Sequence, residues 1–210
     1  MRNKNKTAFA IAAVVISLPV VARAQTYTIP ELAATSRDKI VHMLVRDAET
    51  LLPLAELSAV ADFVVDARLV NPRSRLSEDK TKVYTDYEIV PSRVLRSQIG
   101  DILTSQTPGL RAPLRLSVLG GEITLEGRTI KATNATATLI KTGGRYLVFA
   151  SRSKEGDNVF VAIGGPAGVF EVLDNGYLDP YLRTSQSNPD IEGVPFDDIV
   201  RKVQAAPGRR

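Results

Sequence analysis

The sequence predicts a mainly β chain: a small, strongly bent antiparallel sheet, closed or nearly closed into a barrel, with a short N-terminal helix and a C-terminal amphipathic helix. Three observations carry this. From residue 61 onward the apolar residues recur with period two, the mark of half-buried strands. Glycine pairs and an Asp-Asn-Gly cluster interrupt these runs at short intervals, as turns between strands do. Helical spacing occurs only in short stretches on either side of them.

Residues 1–24 read as a processing segment and are set aside before the fold is considered. Arg2, Lys4 and Lys6 make a charged start, residues 8–21 are apolar or small, and Ala22-Arg23-Ala24 has the form a signal peptidase needs. The apolar run is shorter than the roughly 20 residues that span a bilayer, so a cleaved leader is expected rather than an anchor. Cleavage before Gln25 delivers the chain to the periplasm or beyond, with no membrane insertion afterwards.

Residues 25–52 form an N-terminal segment of uncertain order. Residues 26–38 show no clear period, and Ile40–Val45 fits a helix or a strand equally. Leu54, Leu57 and Ala61 then give a short helical stripe behind Pro53. Residues 53–183 are expected to form the β domain. In residues 62–70, Phe63, Val65, Ala67 and Leu69 share one face while Asp62, Asp66 and Arg68 share the other. Asn71-Pro72-Arg73-Ser74 is expected to break this strand. A polar connection follows through Lys80, and Val83, Thr85, Tyr87 and Ile89 resume the alternation, so the two strands read as a long hairpin.

Leu114, Leu116 and Val118 make the next strand. Gly120-Gly121 reads as the turn of a second hairpin into Ile123 and Leu125, and the Thr- and Ala-rich residues 131–139 as a crossing segment. Tyr146-Leu147-Val148-Phe149 is apolar on both faces, which places that strand in the middle of the structure. Val159, Val161 and Ile163, then Val169 to Leu173, complete the set, and Asp174-Asn175-Gly176 turns the chain. Residues 184–210 are a linker and the terminal helix. There Pro195 suits the first turn, Asp197 and Asp198 sit at the positive end, and Phe196, Ile199, Val200 and Val203 form one apolar face.

The run LAELSAVADFVVDARLV, followed by KVYTDYEIVPSRVL, PLRLSVLGGEI, GGRYLVFAS and VAIGGPAGVFEV, resembles a group of uncharacterised exported bacterial proteins with an OB-like β-barrel. Ala61-Asp62 at the entry to the first strand and Thr85-Asp86-Tyr87 in the second carry the resemblance, which covers residues 54–172. It implies the fold and brings no catalytic residues. A glycine expected near Ser97, at the close of the second strand, is missing.

Composition narrows the function. The whole chain has 27 Lys plus Arg against 23 Asp plus Glu, but Arg2, Lys4, Lys6 and Arg23 lie in the leader, which has no acid. The mature chain is therefore balanced in charge, and nucleic acid is not an expected partner. There is no cysteine and one histidine, His42. This excludes disulfide scaffolds and leaves too few ligands for a histidine-rich zinc site. No G-x-S-x-G is present to supply a nucleophile to His42.

The glycine-rich VAIGGPAGVFEV is followed by a strand rather than a helix, so it reads as a turn and not a phosphate cradle. Asn134-Ala135-Thr136 fits a glycosylation acceptor, which matters only in a eukaryotic secretory pathway. Tyr84, with Arg68, Arg73 and Arg75 in the neighbouring strand and loop, is the candidate binding set, because OB-type barrels use aromatics and cations on one face. Asp86 and Glu88 share a strand face about 7 Å apart, within the range of an inverting glycosidase pair. The expectation is a non-catalytic binding or assembly module of the bacterial periplasm or envelope, with an envelope protein or glycan as partner and no cofactor or metal. The alternatives are a carboxylate-based hydrolase of envelope polymers and an inhibitor of secreted proteases that presents residues 25–30.

Overall fold

The computed structural model describes residues 27–45, 50–98, 112–134, 140–156, 158–180, 188 and 190–206. Residues 1–24, expected to be a cleaved leader, lie outside them. In chain order the elements are α1 (Ile29–Thr35), β1 (Ile40–Val45), α2 (Leu54–Val60), β2 (Phe63–Leu76), β3 (Val83–Ser97), β4 (Arg115–Leu119) and β5 (Gly121–Leu125). They continue with β6 (Arg128–Asn134), β7 (Arg145–Arg152), β8 (Val159–Ala162), β9 (Val169–Val172), β10 (Leu178–Pro180) and α3 (Phe196–Ala205).

Five strands close on themselves. β2, β3 and β4 form an antiparallel meander, β4 pairs in parallel with β8, β8 is antiparallel to β7, and β7 returns to β2. A closed five-stranded barrel with this one parallel contact is consistent with an OB-like fold. Closure needs strong curvature, and the β2–β3 ladder supplies it with register shifts at Val64/Val65, Asp66/Ala67 and Val70/Arg73. β9 and β10 extend the sheet beyond β7.

Alternation along β2 fills the barrel as expected. Phe63, Val65, Ala67 and Leu69 point inward to meet Leu116, Val148 and Phe160, and the Phe63 and Phe160 rings lie 5.4 Å apart. Tyr146 is also inside. Its hydroxyl accepts from the backbone N–H of Lys141 at 2.8 Å, so its one polar atom is satisfied. Outside, Leu147 and Phe149 of β7 pack against α2, α3, Phe170 and Val172. This is why β7 is apolar on both faces. In α3 the buried residues are Phe196, Ile199, Val200 and Val203, each worth about 1.5–3 kcal/mol on burial.

Three expectations need correction. Asn71-Pro72 does not end β2: the strand continues to Leu76 through the Val70/Arg73 bulge, where Asn71 takes a φ of 49° and Pro72 owes no ladder hydrogen bond. Gly120-Gly121 is not a hairpin turn, because β4 and β5 belong to different sheets. There the chain passes against the β2–β3 arm so closely that a Cβ on Gly121 would stand 2.1 Å from Thr85 Oγ1. The hairpin is β5–β6, turned by Glu126-Gly127 with both φ positive. The crossing segment begins later than expected, since residues 131–134 are still strand; residues 135–139 lie outside the described part.

The open reading of Ile40–Val45 resolves as a strand, parallel to β6. With β5 and β6 it makes a second, three-stranded sheet, and α1 packs on this sheet together with Val83 and Leu76. α1 has a capping box: Thr28 Oγ1 accepts from the Glu31 N–H, and Glu31 accepts from the Thr28 N–H. The glycine-rich stretch is a corner, a single 3-10 turn over Gly165–Gly168 that leads into β9. Gly164 is left-handed at φ 68°, and a Cβ on it would meet the Thr50 carbonyl at 2.4 Å. Glycine is needed here because two backbones touch.

Candidate functional site

The outer face of the barrel differs on its two sides. α2 and α3 cover the side built by β7, β9 and the ends of β2 and β3 at Val64 and Leu95. On the β3–β4 side, Tyr84, Asp86 and Glu88 of β3 point outward beside Ser117 and Arg115 of β4, because Asp86 pairs with Ser117 and Glu88 with Arg115 in the ladder.

Arg75 organises this face. It leaves β2 beyond the Val70/Arg73 bulge, opposite Tyr84 in register. Its Nε donates to Asp86 Oδ2 at 2.8 Å, and Nη2 donates to Ser117 Oγ at 2.9 Å and pairs with Glu155 of the β7–β8 connection. The guanidinium lies over the Tyr84 ring, 5.3 Å from its centroid. Partial burial works against the charge on Arg75, but the hydrogen bonds and charges of Asp86 and Glu155 outweigh it and raise its pKa.

Asp86 and Ser117 are each only 6% exposed. Asp86 Oδ1 is buried and has no hydrogen-bond partner among the described residues. An unpaired buried acceptor of this kind costs stability. Around the network lie two recesses with Tyr84 in the wall of both. One, of 260 Å³, includes Ser117, Leu119, Val161 and Pro166 in its lining, and the other, of 420 Å³, is bounded by Ser77, Asp79, Lys82 and Glu155.

Of the residues singled out from the sequence, the fold brings Tyr84, Arg75 and Asp86 together. Arg73 stands opposite Asp86 in the ladder, with an exposed side chain. Glu88 is fastened elsewhere, accepting from Asn71 Nδ2 at 2.8 Å, so the two carboxylates Asp86 and Glu88 have different donors. Arg68 faces another surface. It precedes the bulge and lines a groove with Arg93 and Arg145 at the α3 end of the barrel. Ser117 and Glu155 were not foreseen: Ser117 is a polar residue in an alternating strand, and Glu155 sits in a polar turn 80 residues from Arg75. Among the described residues no three His, Cys, Asp or Glu side chains cluster as metal ligands, and no helix is long and apolar enough to cross a membrane.

No protein-family model matches the chain, and a search of curated proteins finds no significant match.

Proposed function

We propose that the chain is a non-catalytic binding or assembly module, exported to the bacterial periplasm or envelope by the leader in residues 1–24. Its β3–β4 face takes an envelope glycan or protein. The observation that carries this reading is the Arg75, Tyr84, Asp86, Ser117 and Glu155 network on a barrel side that α2 and α3 leave open. In OB-like barrels the face of the second and third strands, with the loops beside it, receives oligosaccharides and oligonucleotides. The charge balance of the mature chain favours the first. A sugar ring stacks on an aromatic such as Tyr84, its hydroxyls donate to carboxylates such as Asp86 and Glu155, and Arg75 fixes their orientation.

The hydrolase reading has less support, because Asp86 and Glu88 are held by separate donors. The inhibitor reading needs an extended, exposed segment at residues 25–30, whereas Thr28 caps α1 and Ile29 is fully buried. The test incubates the protein with glycan chains released from a bacterial envelope and compares it with a Tyr84→Ala, Arg75→Ala variant. Retention of intact chains by the parent and not by the variant supports the binding module. Shortened chains, lost in Asp86→Asn and Glu88→Gln variants, overturn it in favour of hydrolysis.

A further inference from the structure

We infer that the groove at the α3 end of the barrel is a second binding site, which takes a phosphate monoester on a larger polar molecule through Arg68 and Arg93. The groove is a cavity of 1,080 Å³, separate from the β3–β4 face. Its floor is the outer surface of β3, β2 and β7. Arg68 on β2 stands directly opposite Arg145 on β7, and Arg93 on β3 stands opposite Asp66 on β2, one outward position from Arg68.

Like charges directly opposed on neighbouring strands destabilise a sheet, so an Arg68–Arg145 pair is an arrangement that folding alone does not favour. Only one member of this cluster is neutralised within the fold. Arg145 donates to both oxygens of Asp66, at 2.8 and 2.7 Å, and Asp197 at the start of α3 adds to the negative field around it. Arg68 and Arg93 are exposed and make no ion pair among the described residues.

The acids on the walls are mostly engaged already. Asp66 and Asp197 answer Arg145, and Glu171 accepts from Lys141. Asp174 also lines the groove and makes no ion pair among the described residues. Two guanidinium groups on adjacent strands match the oxygens of one phosphate, which they can grip in bidentate fashion. A single phosphate fills little of such a cavity, so the remainder is read as room for the polar body of the ligand. Tyr177, 42% exposed at the groove's edge, supplies an aromatic surface for that body.

This site lies apart from the β3–β4 face, and Arg75 serves as the control that separates the two. Calorimetric titration of the purified protein with glucose 6-phosphate, inorganic phosphate, glucuronate and glucose tests the site. Saturable binding of the two phosphates but not of glucose is expected, weakened about tenfold or more in Arg68→Gln and in Arg93→Gln and unchanged in Arg75→Gln. In the absence of ligand, Arg68→Gln is expected to raise Tm at low salt, because it relieves the opposed charges. Any of four results overturns the assignment: no saturable phosphate binding, equal binding of glucuronate, binding that survives both arginine variants, or a lower Tm in Arg68→Gln.

Discussion

The barrel carries two buried aspartates on its outer surface, each met by an arginine, and the two pairs are finished differently. Asp66, 2% exposed, receives both Nε and Nη2 of Arg145, and the guanidinium is stacked 4.9 Å from the ring of Phe196 on α3. Every oxygen has a donor, and a helix residue packs on the guanidinium. Asp86, 6% exposed, receives only Nε of Arg75, whose other contacts go to Ser117 and Glu155, and its second oxygen has no partner among the described residues. The same residue types therefore serve two ends: the first pair fastens the α3 side to the sheet, and the second holds a polar surface in place without completing it. Incompletely satisfied buried groups concentrate where a protein does something other than fold.

The largest effect that can break this comparison is Arg145→Ala. It strands a buried carboxylate, with an expected loss of about 3 kcal/mol or more in urea unfolding. Next, Asp66→Asn is expected to cost about 2 kcal/mol, whereas Asp86→Asn, which removes an acceptor already lacking a donor, is expected to cost about 1 kcal/mol or less. Equal losses would erase the distinction. Tyr84→Ala is expected to cost about 1 kcal/mol, since the ring is half-buried, and to abolish glycan retention. Unaltered retention would move the binding face elsewhere.

The smallest effect concerns the cap of α1. The Thr28 N–H, followed by the Thr28 hydroxyl, holds the Glu31 pKa below its ordinary value of 4.5. A depressed carboxylate contributes stability that is full above its unfolded pKa and is lost as pH falls through the folded one. Glu31→Gln keeps a capping acceptor but cannot titrate. Its Tm is expected to fall slightly less than the parent's between about pH 5 and about pH 3.

Much of the fold was legible because burial imposes a period. Phe63, Val65, Ala67 and Leu69 could only line a core, and Phe196, Ile199, Val200 and Val203 could only dock a helix. The misread places are those where the period is interrupted without the element ending. Pro72 sits in a bulge that a strand can pass through, and Gly120-Gly121 is needed for a close crossing rather than a reversal. The Thr28-x-x-Glu31 capping signature was present in a stretch without hydrophobic periodicity, where only cap chemistry could reveal the helix.

The candidate site was legible in half. Tyr84 and Asp86 follow from strand alternation, while Arg75 was placed in a loop and Arg68 in the strand beside them. The bulge at Val70/Arg73 and the closure of the barrel send the outward residues before and after it to different sides, and no local pattern encodes that. Glu155 joins from a distant turn, which only the parallel β4–β8 contact brings near.

The most direct test of the two-pair account is a pair of double-mutant cycles in unfolding free energy, one on Arg145 with Asp66 and one on Arg75 with Asp86, each residue changed to alanine. The account predicts a coupling for Arg145–Asp66 that exceeds that of Arg75–Asp86 by about 1 kcal/mol or more. A coupling for Arg75–Asp86 equal to or larger than the other would make both pairs structural fastenings and contradict it.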